Sequence, residues 1–218
     1  MRLVVALALV AGSVALAQEP KNPDLPKEIP VRYGVPPKVR NYPQDSPKKA
    51  LLSTLEAIDR GDTNYLVAHL MDPGFVDLRV SDRAKQFEAD AEIELSRLRD
   101  YQIRNPEKFA PADRLPTDRP KFNALIIEKS RERGFQQLVR DVQQKLLDDP
   151  LAIKELQKLL RDGMVADTET GAKITHADVK DKALYLRKID DRWFLENRHE
   201  DAPPPPMVPV PAPKKEGM

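Results

Sequence analysis

The chain has 218 residues, no cysteine, and 36 basic against 35 acidic side chains. Disulfides, thiolate chemistry and thiol lipidation are excluded. A balanced, interspersed 33% of charged residues lacks the concentrated positive field that nucleic-acid binding draws on.

Residues 1–17 read as a secretory leader. Arg2 precedes an apolar run from Leu3 to Ala11, and Ala15-Leu16-Ala17 forms an A-x-A end before Gln18. A signal peptide needs a short positive region, an apolar stretch of roughly 7–15 residues and such an end. The run is shorter than the roughly 20 residues that span a bilayer. The expectation is a mature chain from Gln18, periplasmic or secreted, with no stable membrane insertion after cleavage. Losing the leader removes only Arg2 and leaves 35 charges of each sign.

Seven prolines fall between Pro20 and Pro43, and seven more between Pro203 and Pro213. Pro-rich stretches without an apolar cluster favour extended, uncollapsed chain. Residues 18–45 and 202–218 therefore read as flexible segments, and 46–201 as a single domain.

Ser46-Pro47 opens that domain as a capping serine followed by proline at the first helical position. Leu51, Leu55 and Ile58 mark one helix face, and Gly61 ends it. Asp62 caps a shorter helix through Met71, carrying Leu66 and Leu70 with Tyr65 and His69 one turn apart. Pro73-Gly74 breaks the chain, and Phe75 to Val80 reads as a short strand or a packed turn. Helical patterns follow from Ser81 to about Gln102 (Phe87, Ala91, Leu95, Leu98). Another runs from Phe122 to Leu146, where Gly134 is a dividing point, and a third from Asp149-Pro150 to Gly163 (Ile153, Leu156, Leu159, Leu160). Four prolines between 106 and 120 make an irregular loop. Beyond Gly163 short runs replace long stripes, and Ala183–Ile189 and Arg192–Asn197 flank Asp190-Asp191 as a β-hairpin. Helices first and an antiparallel meander last make the fold class α+β.

Two stretches carry a resemblance. Ser46-Pro47-Lys48-Lys49-Ala50-Leu51, running to Asp59-Arg60-Gly61-Asp62 with Tyr65 and Leu70, resembles the opening of nuclear transport factor two-like (ketosteroid-isomerase-like) domains. Leu186 to Asn197, with Lys188, Asp190-Asp191, Arg192 and Trp193, resembles their closing hairpin. The resemblance covers about sixty residues, and residues 81–162 depart from it as a helical insertion. It implies a cone-shaped α+β fold with a pocket, in a family that includes isomerases, dehydratases and non-catalytic binding domains. Membership does not by itself imply chemistry.

The candidate pocket residues are Tyr65, His69, Asp77, Tyr185 and Trp193. His69 titrates near neutrality and suits acid–base work. It equally suits a satisfied histidine at a helix edge. Asp77 between Val76 and Leu78 is a carboxylate that an apolar cavity would keep protonated, or an outward residue of an edge segment. Trp193 reads as core, or as a binding platform. His176 falls in a strand-like run, and His199 follows the last strand. Three scattered histidines and no calcium-loop spacing give no metal site, and no nucleotide or other cofactor motif occurs. No catalytic residue is assigned.

The leading expectation is an exported, non-enzymatic binding or scaffolding module. Its partner would be a protein or a second copy docked through helices 81–162, or a small apolar ligand. The alternative is a small cone-fold isomerase or hydrolyase with Tyr65, His69 and Asp77 lining its cavity.

Overall fold

A computed structural model describes residues 29–179 and 182–198. The leader, the Pro-rich residues 202–218 and His199 lie outside the described residues. Helices fill the N-terminal and middle parts, and a four-stranded antiparallel sheet closes the chain, in the order β1-β2-β3-β4.

Helix α1 (Pro47–Asp59) starts where Ser46 Oγ accepts the Lys49 amide at 3.3 Å. It ends before Gly61, whose φ of 67° suits a residue without Cβ. A single turn, α2 (Thr63–Tyr65), runs on as a π-helical turn, Leu66–Leu70.

Residues 75–80 are helical, in neither of the conformations expected for them. They belong to α3 (Pro73–Ala84), which Asp72 caps by accepting the Gly74 amide at 2.9 Å. Pro73 breaks the preceding helix but is also a good first residue for the next. Val76, Val80 and Ala84, four apart, then form the buried face. A 3₁₀ turn (Lys85–Phe87) leads into α4 (Glu88–Arg104).

Helix α5 (Arg119–Asp148) is continuous, so Gly134 does not divide it. A Cβ there would lie 2.8 Å from the Val80 carbonyl oxygen, and the glycine instead lets α3 and α5 approach closely. Phe135, Leu138 and Val139 meet Val76 and Val80 across that contact. The α4–α5 hairpin closes over Ala91, Leu95, Phe122 and Ile126. Its loop is pinned by buried Gln102, which donates to the Asp113 carbonyl at 3.2 Å and accepts the Leu115 amide at 2.8 Å.

Helix α6 (Pro150–Asp162) is capped by Asp149, whose carboxylate accepts the Ala152 amide at 3.1 Å. The sheet comprises β1 (Met164–Asp167), β2 (Gly171–Thr175), β3 (Leu184–Ile189) and β4 (Arg192–Leu195). The β3–β4 turn is Asp190-Asp191, both at positive φ (48° and 62°), as a tight hairpin turn requires. One face carries Val165, Ile174, Leu184, Leu186, Trp193 and Leu195 onto Leu51 and Leu55 of α1 and Leu159 of α6. That packing fills the space between sheet and helices.

Residues 29–45 correct the expectation of a flexible segment. Tyr42 and Gln44 are buried. Arg32 and Val35 exchange backbone hydrogen bonds of 3.2 and 2.8 Å around a turn at Tyr33-Gly34. Tyr33 stacks on Phe135 at 4.6 Å, and Tyr42 on Tyr65 at 4.5 Å. The prolines deny this stretch its own helix or strand, but its aromatic side chains bury enough surface to hold it down as a strap. The packed domain therefore begins by Ile29, ahead of Ser46.

Candidate functional site

Where the strap crosses the π-helical turn and the β3–β4 hairpin, polar side chains gather. Tyr65 and His69, one turn apart, are both buried, with ring centroids 4.9 Å apart. Both serve the strap. The Tyr65 hydroxyl accepts the Lys38 amide at 3.1 Å, and His69 Nε2 donates to the Val35 carbonyl at 2.8 Å. Burial pushes the Tyr65 hydroxyl up from its ordinary pKa. Burial also lowers the His69 pKa; the Val35 bond opposes this, and the Arg192 and Arg32 charges add to it. His69 is thus held as neutral imidazole with its Nε2 proton committed.

Gln44 ties strap, helix and sheet together. Its Nε2 donates to the carbonyls of His69 at 3.0 Å and Trp193 at 2.8 Å. Its Oε1 accepts from Arg192 Nη2. Trp193 itself is core, buried with Leu51 and Leu186.

The remaining two candidates lie elsewhere. Asp77 is on the outer side of α3, its carboxylate half exposed, where one oxygen accepts from Arg32 Nη2 and the Tyr33 hydroxyl at 2.6 Å each. It is not among the residues that line the cleft beside His69, and its bonds hold the strap. Tyr185 points to the outer face of β3, opposite Leu186, with the Lys173 ammonium and Arg198 guanidinium 5.6 and 5.4 Å from its ring. The five residues therefore form no common pocket. His176 lies one residue beyond β2, its Nδ1 accepting the Asp178 amide at 3.0 Å.

Beside His69 an open cleft of about 580 Å³ is lined by Ile29, Pro30, Val39 and Phe194, with Arg32 and Arg192. Sequence reading missed Gln44, Arg32 and Arg192. Gln44 precedes the helix cap with no local pattern to mark it, and Arg192 stands out in sequence only as part of the closing hairpin, with nothing to mark it as a site residue.

Among the described residues, no group of three acidic, histidine or cysteine side chains could hold a metal ion. Nor is any helix among them long and apolar enough to cross a membrane. Compared with family models, curated proteins and solved structures, the chain matches none.

Proposed function

We propose that this chain is an exported module, of the periplasm or cell exterior, that works by binding or scaffolding without catalysis. One observation carries the reading: the two side chains best suited to acid–base work, Tyr65 and His69, are buried and spent on backbone groups of the strap. An acid–base enzyme needs such groups converging on a substrate-sized cavity. Here His69 borders the cleft with its Nε2 proton already given to Val35, Tyr65 is not part of that lining, and the space between the sheet and α1 and α6 holds Leu51, Leu55, Leu159 and Trp193. The isomerase or hydrolyase alternative loses Asp77 as well, because that carboxylate lies on an outer helix face.

Membership of the nuclear transport factor two-like superfamily remains part of this proposal. The two stretches that carry the resemblance lie against each other. Ala50, Leu51 and Leu55 of the first pack with Leu186 and Trp193 of the second, and Asp72 N, just past the first, donates to Leu195 O at 2.8 Å. The scaffolding half of the reading draws on the α4–α5 hairpin, where Ile93, Ile103 and Ile127 stay exposed after the internal stripe has closed.

Native mass spectrometry of the protein purified gently from its own host tests the proposal. The expected species begins at Gln18, and any co-purified compound or partner is recovered unchanged after incubation. A compound converted by the wild type but not by His69→Ala would sink the non-catalytic reading. An uncleaved chain in the cytoplasmic fraction would sink export.

A further inference from the structure

Two guanidinium groups line the cleft beside His69, and each keeps a hydrogen-bond donor that the fold does not use. Arg32 Nε and Arg192 Nε are both buried without a partner. Arg32 donates from Nη2 to Asp77 and, at 3.3 Å, to the Pro73 carbonyl. Arg192 donates from Nη2 to the neutral Gln44 side chain and lies 5.0 Å from the Phe194 ring. Among the described residues no carboxylate pairs with Arg192; Arg32, Lys188 and Arg187 take Asp77, Asp191 and Asp72. A half-buried guanidinium whose side-chain acceptor is a neutral amide keeps its charge unbalanced, and an anion in the cleft would offset it.

We propose that this cleft binds an amphiphilic monocarboxylate, its headgroup accepting from Arg192 and Arg32 and its alkyl chain lying on Ile29, Val39 and Phe194. The inference deepens the binding reading and rests on it. A single negative charge fits better than a phosphate dianion. Asp77 already offsets Arg32, which leaves the charge of Arg192 for one anion. The apolar walls explain the alkyl chain, since burying them against hydrocarbon is favourable where a bare anion would leave them wet. Burial chiefly lowers the Arg192 pKa; the Tyr65 hydroxyl opposes this, and repulsion from the Arg32 charge adds to it. An anion between the two groups would relieve that repulsion.

The test is calorimetric titration of octanoate into the chain from Gln18 onward, with octan-1-ol and acetate as comparators. The expected result is saturable octanoate binding at least about ten-fold tighter than either comparator. Arg192→Gln should weaken it about ten-fold or more. Because that change could disturb the Gln44 network, exposed Val39 supplies a second pair of variants. Both changes remove an apolar contact, but Val39→Glu should weaken octanoate binding at least about ten-fold more than Val39→Lys, with thermal unfolding unchanged in both. No saturable octanoate binding, octan-1-ol binding as tightly as octanoate, or equal behaviour of the two Val39 variants would overturn the assignment. A compound retained from the host by a chain that ignores octanoate would overturn the carboxylate alone and leave the binding reading standing. Conversion of the retained compound would overturn the binding reading itself.

Discussion

Gln44 and Trp193 hold each other twice: Gln44 Nε2 donates to the Trp193 carbonyl at 2.8 Å, and the Trp193 amide donates to the Gln44 carbonyl at 2.9 Å. The two residues are 149 positions apart in sequence. Their pairing seats the strap on strand β4, places Arg192 beside the cleft and sets the Val35 carbonyl over His69. The strap, the candidate site and the edge of the sheet thus form one cooperative unit.

Gln44→Leu should therefore destabilise the whole domain. The substitution removes bonds to His69, Trp193 and Arg192 and leaves buried carbonyls unpaired. The expected loss is about 1–3 kcal/mol by urea denaturation. A chain cut to begin at Ser46 should lose more than about 2 kcal/mol against one beginning at Ile29, because Tyr65 and His69 become wet. Equal midpoints for the two chains would mean that the strap packs without contributing to stability.

Acid should weaken the fold through His69. Burial, with the Arg192 and Arg32 charges adding to it and the Val35 bond opposing it, holds its folded pKa below the ordinary 6.5. As pH falls below that value the unfolded chain binds the proton first, so stability drops; above it the contribution is complete and flat. His69→Gln should flatten the curve in this window. A separate loss at lower pH belongs to Asp141, whose carboxyl is held below its ordinary 3.8 chiefly by the Arg83 hydrogen bond. Thermal unfolding across the acid range checks both, and a wild-type curve flat from neutrality down to pH 5 would refute the His69 assignment.

Gly134→Ala has two opposing effects. Alanine gains about 1 kcal/mol of helix propensity over glycine. Its Cβ would, however, meet the Val80 carbonyl oxygen at 2.8 Å and the Ala84 amide nitrogen at 3.0 Å, both backbone atoms of α3. Backbone cannot swing aside as a flexible side chain can, so overpacking should win, with a net loss of about 1–2 kcal/mol in denaturant unfolding. A more stable variant would show that α3 and α5 can separate at little cost.

Asp191→Gly should stabilise the hairpin slightly, by about 0.5 kcal/mol. Its φ of 62° is strained for a side chain, and Asp-Gly is a favoured pair for such a turn. The ion pair it forfeits with Lys188 is at the surface, with the Asp191 side chain 96% exposed, and counts for little. An unchanged or lowered melting temperature would indicate that the aspartate carries more than turn geometry.

Much of the local structure was legible in sequence. Ser46-Pro47 and Asp149-Pro150 start helices where capping chemistry places them, and Asp190-Asp191 turns the last hairpin. The order of helices before sheet follows from the change in apolar periodicity at Gly163. These signals act between residues no more than about four apart, so the chain alone determines them. The strap and the site required the tertiary structure. Proline content described the backbone of residues 29–45 but could not show that Tyr33 would find Phe135, or Tyr42 find Tyr65. Val76 and Val80 suit a strand as well as a helix, and the close approach of α5 at Gly134 favours the helix. His69 read as a candidate base because its type is visible in sequence, whereas its partner, the Val35 carbonyl 34 positions away, is not. Burial and long-range hydrogen bonding decide what a polar residue can do, and both arise only when distant segments meet.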